Sequence, residues 1–272
     1  MSKKTIKLIS NSGLQFENFN FSIDDNFNKK NKIFYVEEFN IEKEIFWFEE
    51  VIQNKKDDIW IKKSELISKG FINSNNEFTE EYTINEVEQI NDSDVKQNPN
   101  INRIIKSFSN KWIPIPFFKN NNINIDVFGP TDWVRLMITT DTRGEFTASF
   151  VIDTKDTDNE TDITSPFSST NINDNIFSIP SNTDVILSFL DSRKGCDWIL
   201  EYIQNEFTFD TSDSSLVHIA AYQILLKLLL DQDNLFNIQL LPQKSTQVSV
   251  DMTIDIGNSN TCALLFEESN SD

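Results

Sequence analysis

An aspartate and a glycine stand two positions apart near the end of the sequence, between two runs of apolar residues. Residues 248–256 alternate in the manner of a half-buried strand, and residues 261–266 are apolar again. Residues 257–260 (GNSN) predict a turn, because glycine and asparagine tolerate positive φ. Asp255 then ends the first strand beside the backbone N–H groups of that turn. This arrangement suits magnesium with phosphate, since the amides bind phosphate oxygens and the acid holds the metal's water shell.

The pattern Asp255-x-Gly257-x-x-x-Thr261 resembles the first phosphate-binding hairpin of the ATPase superfamily that contains actin, hexokinase and the heat-shock chaperones. By that resemblance Asp255 is the acid on the Mg²⁺ side. Gly257 and Asn258 supply turn backbone to the phosphates, and Ser259 or Thr261 supplies a hydroxyl. Such a pattern is common by chance. An ordinary β-hairpin with an Asn/Gly turn explains the same residues.

A complete ATP site of this kind needs a second phosphate loop, an adenosine-binding segment and two lobes. The loops require neighbouring glycines, and the six in the sequence are Gly13, Gly70, Gly129, Gly144, Gly195 and Gly257. No two are close enough to form a second nucleotide loop. We therefore expect no catalytic residue and no bound cofactor in this chain alone, and ATP with Mg²⁺ only in a longer form.

The composition and charge of the chain exclude several other classes of function. At 272 residues, with 38% hydrophobic residues and 23 phenylalanines, the chain can bury a substantial core. A net charge of −19 argues against binding to nucleic acid or anionic membranes, because both would be repelled. The sequence lacks a secretion signal and an apolar run of membrane-spanning length, so we expect a cytoplasmic protein, with later export left open. Cys196 and Cys262 are too few for a disulfide framework.

Strand patterns dominate residues 1–152. We expect an N-terminal hairpin over residues 5–23, and a hairpin formed by residues 133–138 and 146–152. Further strand patterns lie at residues 33–39 and 45–48. Alternate prolines in residues 111–118 (KWIPIPFF) predict an extended edge segment. Its buried residues are expected to be Trp112, Ile113, Ile115 and Phe117.

Residues 153–247 begin with an acidic connector and continue into two helical patterns, residues 191–207 and 213–231. The second pattern is apolar nearly all round, which is typical of a buried helix. Its exposed edge is expected to carry Gln223, Lys227 and Asp231 at a spacing of four residues. His218, the only histidine, lies in this helix without a neighbouring nucleophile or acid, which favours a packed side chain over a catalytic one.

Four stretches, taken together and in order, resemble the N-terminal part of the SrfB family of bacterial virulence factors. They are residues 8–19 (LISNSGLQFENF), 112–118 (WIPIPFF), 129–146 (GPTDWVRLMI followed by DTRGEF) and 254–266 (IDIGNSNTCALLF). The resemblance implies a β-rich region that precedes an actin-like ATPase fold in much longer proteins. The body of that ATPase is absent from the present sequence.

These observations predict an α+β protein with three parts: a β-rich region over residues 1–152, a connector and helical region over residues 153–247, and a hairpin over residues 248–272. The hairpin is expected to pair with a sheet of the same unit. One hypothesis is the N-terminal part of an actin-like nucleotide-binding protein. The alternative is a non-catalytic module that binds protein partners in a toxin or secretion system.

Overall fold

The computed structural model describes residues 3–23, 32–41, 45–73, 77–79, 86–98, 100–119, 133–140, 145–155, 176–181, 186, 205, 216–241, 250–256 and 261–267, the last two ranges by their backbone. The strands are β1 Lys4–Ile9, β2 Leu14–Phe21, β3 Phe34–Asn40, β4 Ile45–Asn54, β5 Ile59–Lys62, β6 Lys96–Gln97, β7 Ile113–Pro114, β8 Phe118–Lys119, β9 Val134–Thr140, β10 Phe146–Asp153, β11 Ile176–Ser178, β12 Phe236–Leu241, β13 Val250–Ile256 and β14 Thr261–Glu267. The α-helices are α1 Lys63–Ser68, α2 Ile101–Phe108 and α3 Val217–Leu230.

Twelve of the fourteen described strands form three four-stranded sheets. Sheet A has the order β1-β12-β11-β8, sheet B the order β2-β10-β9-β7, and sheet C the order β5-β4-β3-β6. Described strand pairs are antiparallel except for β1 with β12, which is parallel. The expected β-rich character is confirmed. Sheet A takes strands from both sides of residue 152, and β11 lies where the composition predicts a polar connector.

The N-terminal segment forms the two expected strands, but the expected hairpin is wrong. β1 pairs with β12 in sheet A, whereas β2 pairs with β10 in sheet B. The turn between them, around Asn11 and Gly13, carries the chain from one sheet to the other, and both residues have positive φ, at 61° and 92°. The Asn11 N–H donates to the Thr154 carbonyl at 3.0 Å, and the Thr154 N–H donates to the Gly13 carbonyl at 3.2 Å. These long-range bonds replace the ladder that a hairpin would have formed.

Sheets A and B are joined by aromatic rings at the centre of the main core. Phe117 lies between the sheets and contacts Phe150 of β10 and Phe236 of β12, with ring centroids 6.3 and 5.9 Å apart. Phe150 and Phe236 also contact each other edge to face at 5.2 Å. Trp133 makes a second contact between the sheets, with Phe177 of β11 at 5.1 Å. Burial of such large rings is the main source of stability for this pair of layers.

Helix α3 is buried along most of its length, as its apolar composition predicts. The Tyr222 hydroxyl donates to the Pro114 carbonyl at 2.6 Å, and its ring contacts Phe108 of α2. His218 is buried, in keeping with a packed role. The expected exposed edge is wrong at Gln223, which is only 1% exposed. The helix at residues 191–207 lies outside the described residues except for Asn205, which is helical.

A half-buried cluster of charges connects sheet C to helix α3. The Glu50 carboxylate of β4 accepts hydrogen bonds from the ammonium groups of Lys63 at 3.0 Å and Lys227 at 3.5 Å. Burial favours the protonated form of Glu50, but the two lysines outweigh this effect and lower the pKa of its carboxyl below the ordinary value. Burial likewise lowers the pKa of Lys227, against the opposing attraction of Glu50. Beside this cluster, Glu37 of β3 accepts a hydrogen bond from the Leu216 N–H at the start of α3, at 3.1 Å.

Replacement of Glu50 tests how much this cluster stabilises the fold. Glu50→Gln leaves two lysines without their shared carboxylate, and we expect a loss of about 3 kcal/mol in the free energy of unfolding at pH 7. Urea unfolding followed by circular dichroism measures it. The control is Glu38→Gln, because Glu38 bonds Lys62 at 2.5 Å with 40% of its side chain exposed, and an exposed pair of this kind contributes less than about 1 kcal/mol.

The same pair of proteins gives a pH test. Because the folded-state pKa of Glu50 is lowered, its stabilisation is complete above the ordinary carboxyl pKa and is lost as the pH falls through the lowered value. The difference in stability between wild type and Glu50→Gln should therefore shrink in acid. A difference that stays constant from pH 7 to pH 3 would contradict the assignment of the lowered pKa to Glu50.

Replacement of Gln223 is expected to stabilise the protein, whereas replacement of Glu50 is expected to destabilise it. Both polar atoms of its buried amide lack a hydrogen-bond partner in the described part of the chain. Gln223→Met keeps the length and removes the cost of burying an unpaired amide, so we expect a gain of about 1–2 kcal/mol. Gln232→Met is the control, because the Gln232 amide donates to the Leu228 carbonyl at 3.0 Å and its loss should bring no gain. A lower melting temperature for Gln223→Met would refute the prediction.

Candidate functional site

The terminal hairpin has the strand geometry that the sequence predicts. β13 and β14 pair antiparallel, with Asp255 opposite Cys262 and Ile256 opposite Thr261. Asp255 is therefore one residue from the last pair before the turn, and Thr261 is the first residue after it. Gly257, Asn258 and Ser259, the other candidate phosphate-binding residues, lie outside the described residues. The register brings the backbone of Asp255 and Thr261 to the same end of the hairpin.

The pairing of this hairpin differs from expectation. In the part of the chain that the structure describes, β13 and β14 form a two-stranded sheet of their own and join none of sheets A, B and C. An isolated two-stranded hairpin is marginally stable in water. Further strands, or a helix packed against one face, stabilise such a hairpin.

A second candidate site is a cleft of about 480 Å³ on the outward face of sheet B. Its lining residues alternate with the buried ones along β2, β9 and β10, as a sheet with one wet face requires. The register places Val151 between Phe16 and Arg135, and Asp153 opposite Leu14. The full lining is Leu14, Phe16, Trp112, Trp133, Arg135, Val151 and Asp153.

The floor and one end of this cleft are fixed by hydrogen bonds. Trp133 is buried, and its indole N–H donates to the Phe117 carbonyl at 3.2 Å. At the end of the cleft, the buried Thr154 hydroxyl donates to the Gly13 carbonyl at 2.8 Å and lies 3.1 Å from the Ser12 hydroxyl. This contact fixes the start of β2, from which Leu14 and Phe16 project.

The sequence predicts strands at most of these residues, but it does not predict that they line a cleft. Trp112 was expected to be buried, but 39% of its surface is exposed. Alternation along an extended strand explains the error, because Ile113 faces the core and its neighbour Trp112 must face the other way. Arg135 also lines the cleft and is partly buried.

Comparison with protein families identifies the whole chain. A family model described as virulence factor SrfB matches residues 1–272. The chain belongs to the SrfB family. The SrfB match covers the terminal hairpin and the cleft of sheet B alike, and it confirms the resemblance drawn from the sequence. Comparison with curated proteins and with solved structures gives no match.

The described residues include no helix that is long and apolar enough to cross a membrane. They also contain no group of three or more histidine, cysteine, aspartate or glutamate side chains that could hold a metal ion.

Proposed function

We propose that this chain is the N-terminal part of an SrfB protein and that its terminal hairpin begins an actin-like nucleotide-binding fold. In that role Asp255 holds the water shell of Mg²⁺, the backbone of Gly257 and Asn258 binds phosphate oxygens, and Ser259 or Thr261 adds a hydroxyl. The single observation that supports this best is the register of the hairpin, which puts Asp255 and Thr261 on either side of the predicted turn.

The separate sheet formed by β13 and β14 also supports the proposal. Two strands cannot bury enough apolar surface to be stable alone, so a hairpin of this kind fits the first pair of strands in a larger sheet. The opposing parts of a nucleotide site would then come from the rest of that larger fold. The chain by itself would hold one side of the site and carry out no reaction.

Removal of the carboxylate at Asp255 tests the proposal in the protein expressed from the complete reading frame. We expect Asp255→Asn to weaken Mg²⁺-ATP binding by about 10-fold to 100-fold, the usual effect of losing a group that holds a metal's water shell. The loss should be much smaller when EDTA removes Mg²⁺. Isothermal titration calorimetry gives both affinities.

Asp251→Asn is the matched control, because Asp251 lies on the same strand and its replacement changes the net charge by the same amount. It should bind Mg²⁺-ATP like the wild type. Equal affinities for wild type and Asp255→Asn would remove Asp255 from the site. Failure of the wild type to bind Mg²⁺-ATP at all would end the nucleotide proposal.

A second function, a non-catalytic protein-interaction module, is favoured by apolar side chains at the end of β3. Phe39 is 53% exposed and Ile41 is 82% exposed, two positions apart in the sequence. Exposed apolar residues that lie close together mark surfaces that proteins use to bind one another. On this alternative, a partner protein would bind equally well with and without Mg²⁺-ATP. The Phe39→Ser substitution would weaken binding of that partner.

A further inference from the structure

We propose that the cleft on the outward face of sheet B binds a neutral carbohydrate chain. The proposal is independent of the nucleotide-binding hairpin and of the apolar residues on β3. It rests on three features of the same face: exposed aromatic rings on a fixed floor, one pair of opposite charges, and an adjoining strip of uncharged amides and hydroxyls.

The apolar part of the cleft consists of flat rings in contact with water. Phe16 is 64% exposed and Trp112 is 39% exposed, on either side of the partly buried Arg135 and Val151. Trp133 closes the floor and cannot turn away, because its indole N–H is bonded to the Phe117 carbonyl and its ring packs edge-on against Phe177. The exposed rings of Phe16 and Trp112 suit the C–H faces of a sugar ring, which is apolar above and below and polar around its edge.

The polar part of the cleft contains one basic and one acidic side chain, Arg135 and Asp153. Arg135 supplies a fork of N–H donors, and Asp153 supplies acceptor oxygens. One oxygen of Asp153 accepts the Lys155 backbone N–H at 2.9 Å, which holds the carboxylate in a fixed direction. Sugar hydroxyls both donate and accept, so they can bind a donor and an acceptor set side by side. A ligand with a net charge would gain from one of the two groups and be opposed by the other.

Beyond the cleft, the same outward face continues as an uncharged polar strip. The cross-strand pairs that follow Phe16 and Val151 are Asn18 with Ser149 and Asn20 with Thr147. The Thr147 hydroxyl donates to the Asn20 side-chain oxygen at 2.9 Å. Successive outward pairs thus change from aromatic to amide and hydroxyl without introducing a charge. A chain of sugar units laid along β2 and β10 would place one ring on the aromatic end and its hydroxyls against the amides.

The volume of the cleft and the net charge of the protein are compatible with a neutral carbohydrate ligand. A volume of about 480 Å³ lies within the range of about 300–1,000 Å³ that small-molecule sites occupy. The net charge of −19 would repel an anionic ligand before it reached the cleft. A protein partner is less well matched, because the cores of protein interfaces are depleted in charged residues, whereas Arg135 and Asp153 both line this cleft.

The test uses the 272-residue chain and neutral trisaccharides as probes. Maltotriose, cellotriose and tri-N-acetylchitotriose are titrated by calorimetry and by saturation-transfer NMR, with sialyllactose as the anionic comparison. We expect at least one neutral trisaccharide to bind and sialyllactose to bind more weakly. Phe16→Ala and Trp112→Ala should each weaken binding roughly 10-fold, the effect of losing one aromatic stacking contact of about 1.4 kcal/mol. Both residues are exposed, so the melting temperature of each variant should stay near that of the wild type.

Phe39→Ala is the matched control, because Phe39 is an exposed phenylalanine on a strand of sheet C rather than sheet B. It should bind the sugar like the wild type. The proposal is overturned if no neutral trisaccharide binds, if Phe16→Ala and Trp112→Ala retain the wild-type affinity, or if Phe39→Ala weakens binding as much as they do. Binding of an apolar peptide in the cleft without binding of any of the sugars would overturn it as well.

Discussion

Three phenylalanine rings, Phe117, Phe150 and Phe236, hold sheets A and B face to face. Each of these rings is buried, and together they come from an edge segment, the centre of sheet B and the centre of sheet A. Because one face of sheet B is committed to this contact, the side chains on its other face must point toward solvent. The exposed rings of Phe16 and Trp112 follow from that constraint, and so does the cleft that they line.

The strands of this fold could be predicted more readily than their partners. Alternation of side chains is a local property, so it correctly gave β1, β2, β9 and β10. Pairing depends on residues far apart in sequence: Lys4 of β1 lies opposite Phe236, and Phe16 of β2 lies opposite Val151. A turn with Asn and Gly at positive φ can close a hairpin or move the chain from one sheet to another. The residues of the turn alone therefore do not reveal which of the two occurs.

Other features were present in the sequence and went unpredicted. Helix α2 has buried residues at the helical spacing, Ile101, Ile104, Ile105 and Phe108. The Asn100 side chain caps it by accepting the Asn102 N–H at 2.8 Å. By contrast, no local signal separates the apolar residues of the cleft from core residues. Phe16 and Trp112 look like any aromatic residue of a strand until the pairing of the sheets decides which face is covered.

The two proposed sites place opposite electrostatic demands on the same acidic chain. A triphosphate approaching a molecule of net charge −19 is repelled at long range, and Mg²⁺ must neutralise much of its charge before the amides of a turn can hold it. If the hairpin binds phosphate as proposed, Asp255 would serve to hold that cation, since a carboxylate beside phosphate is tolerable only with a cation between them. A neutral sugar meets no such barrier, and the balanced charges of Arg135 and Asp153 would create none. On these two proposals, acidity would make the metal necessary at the hairpin and unnecessary in the cleft.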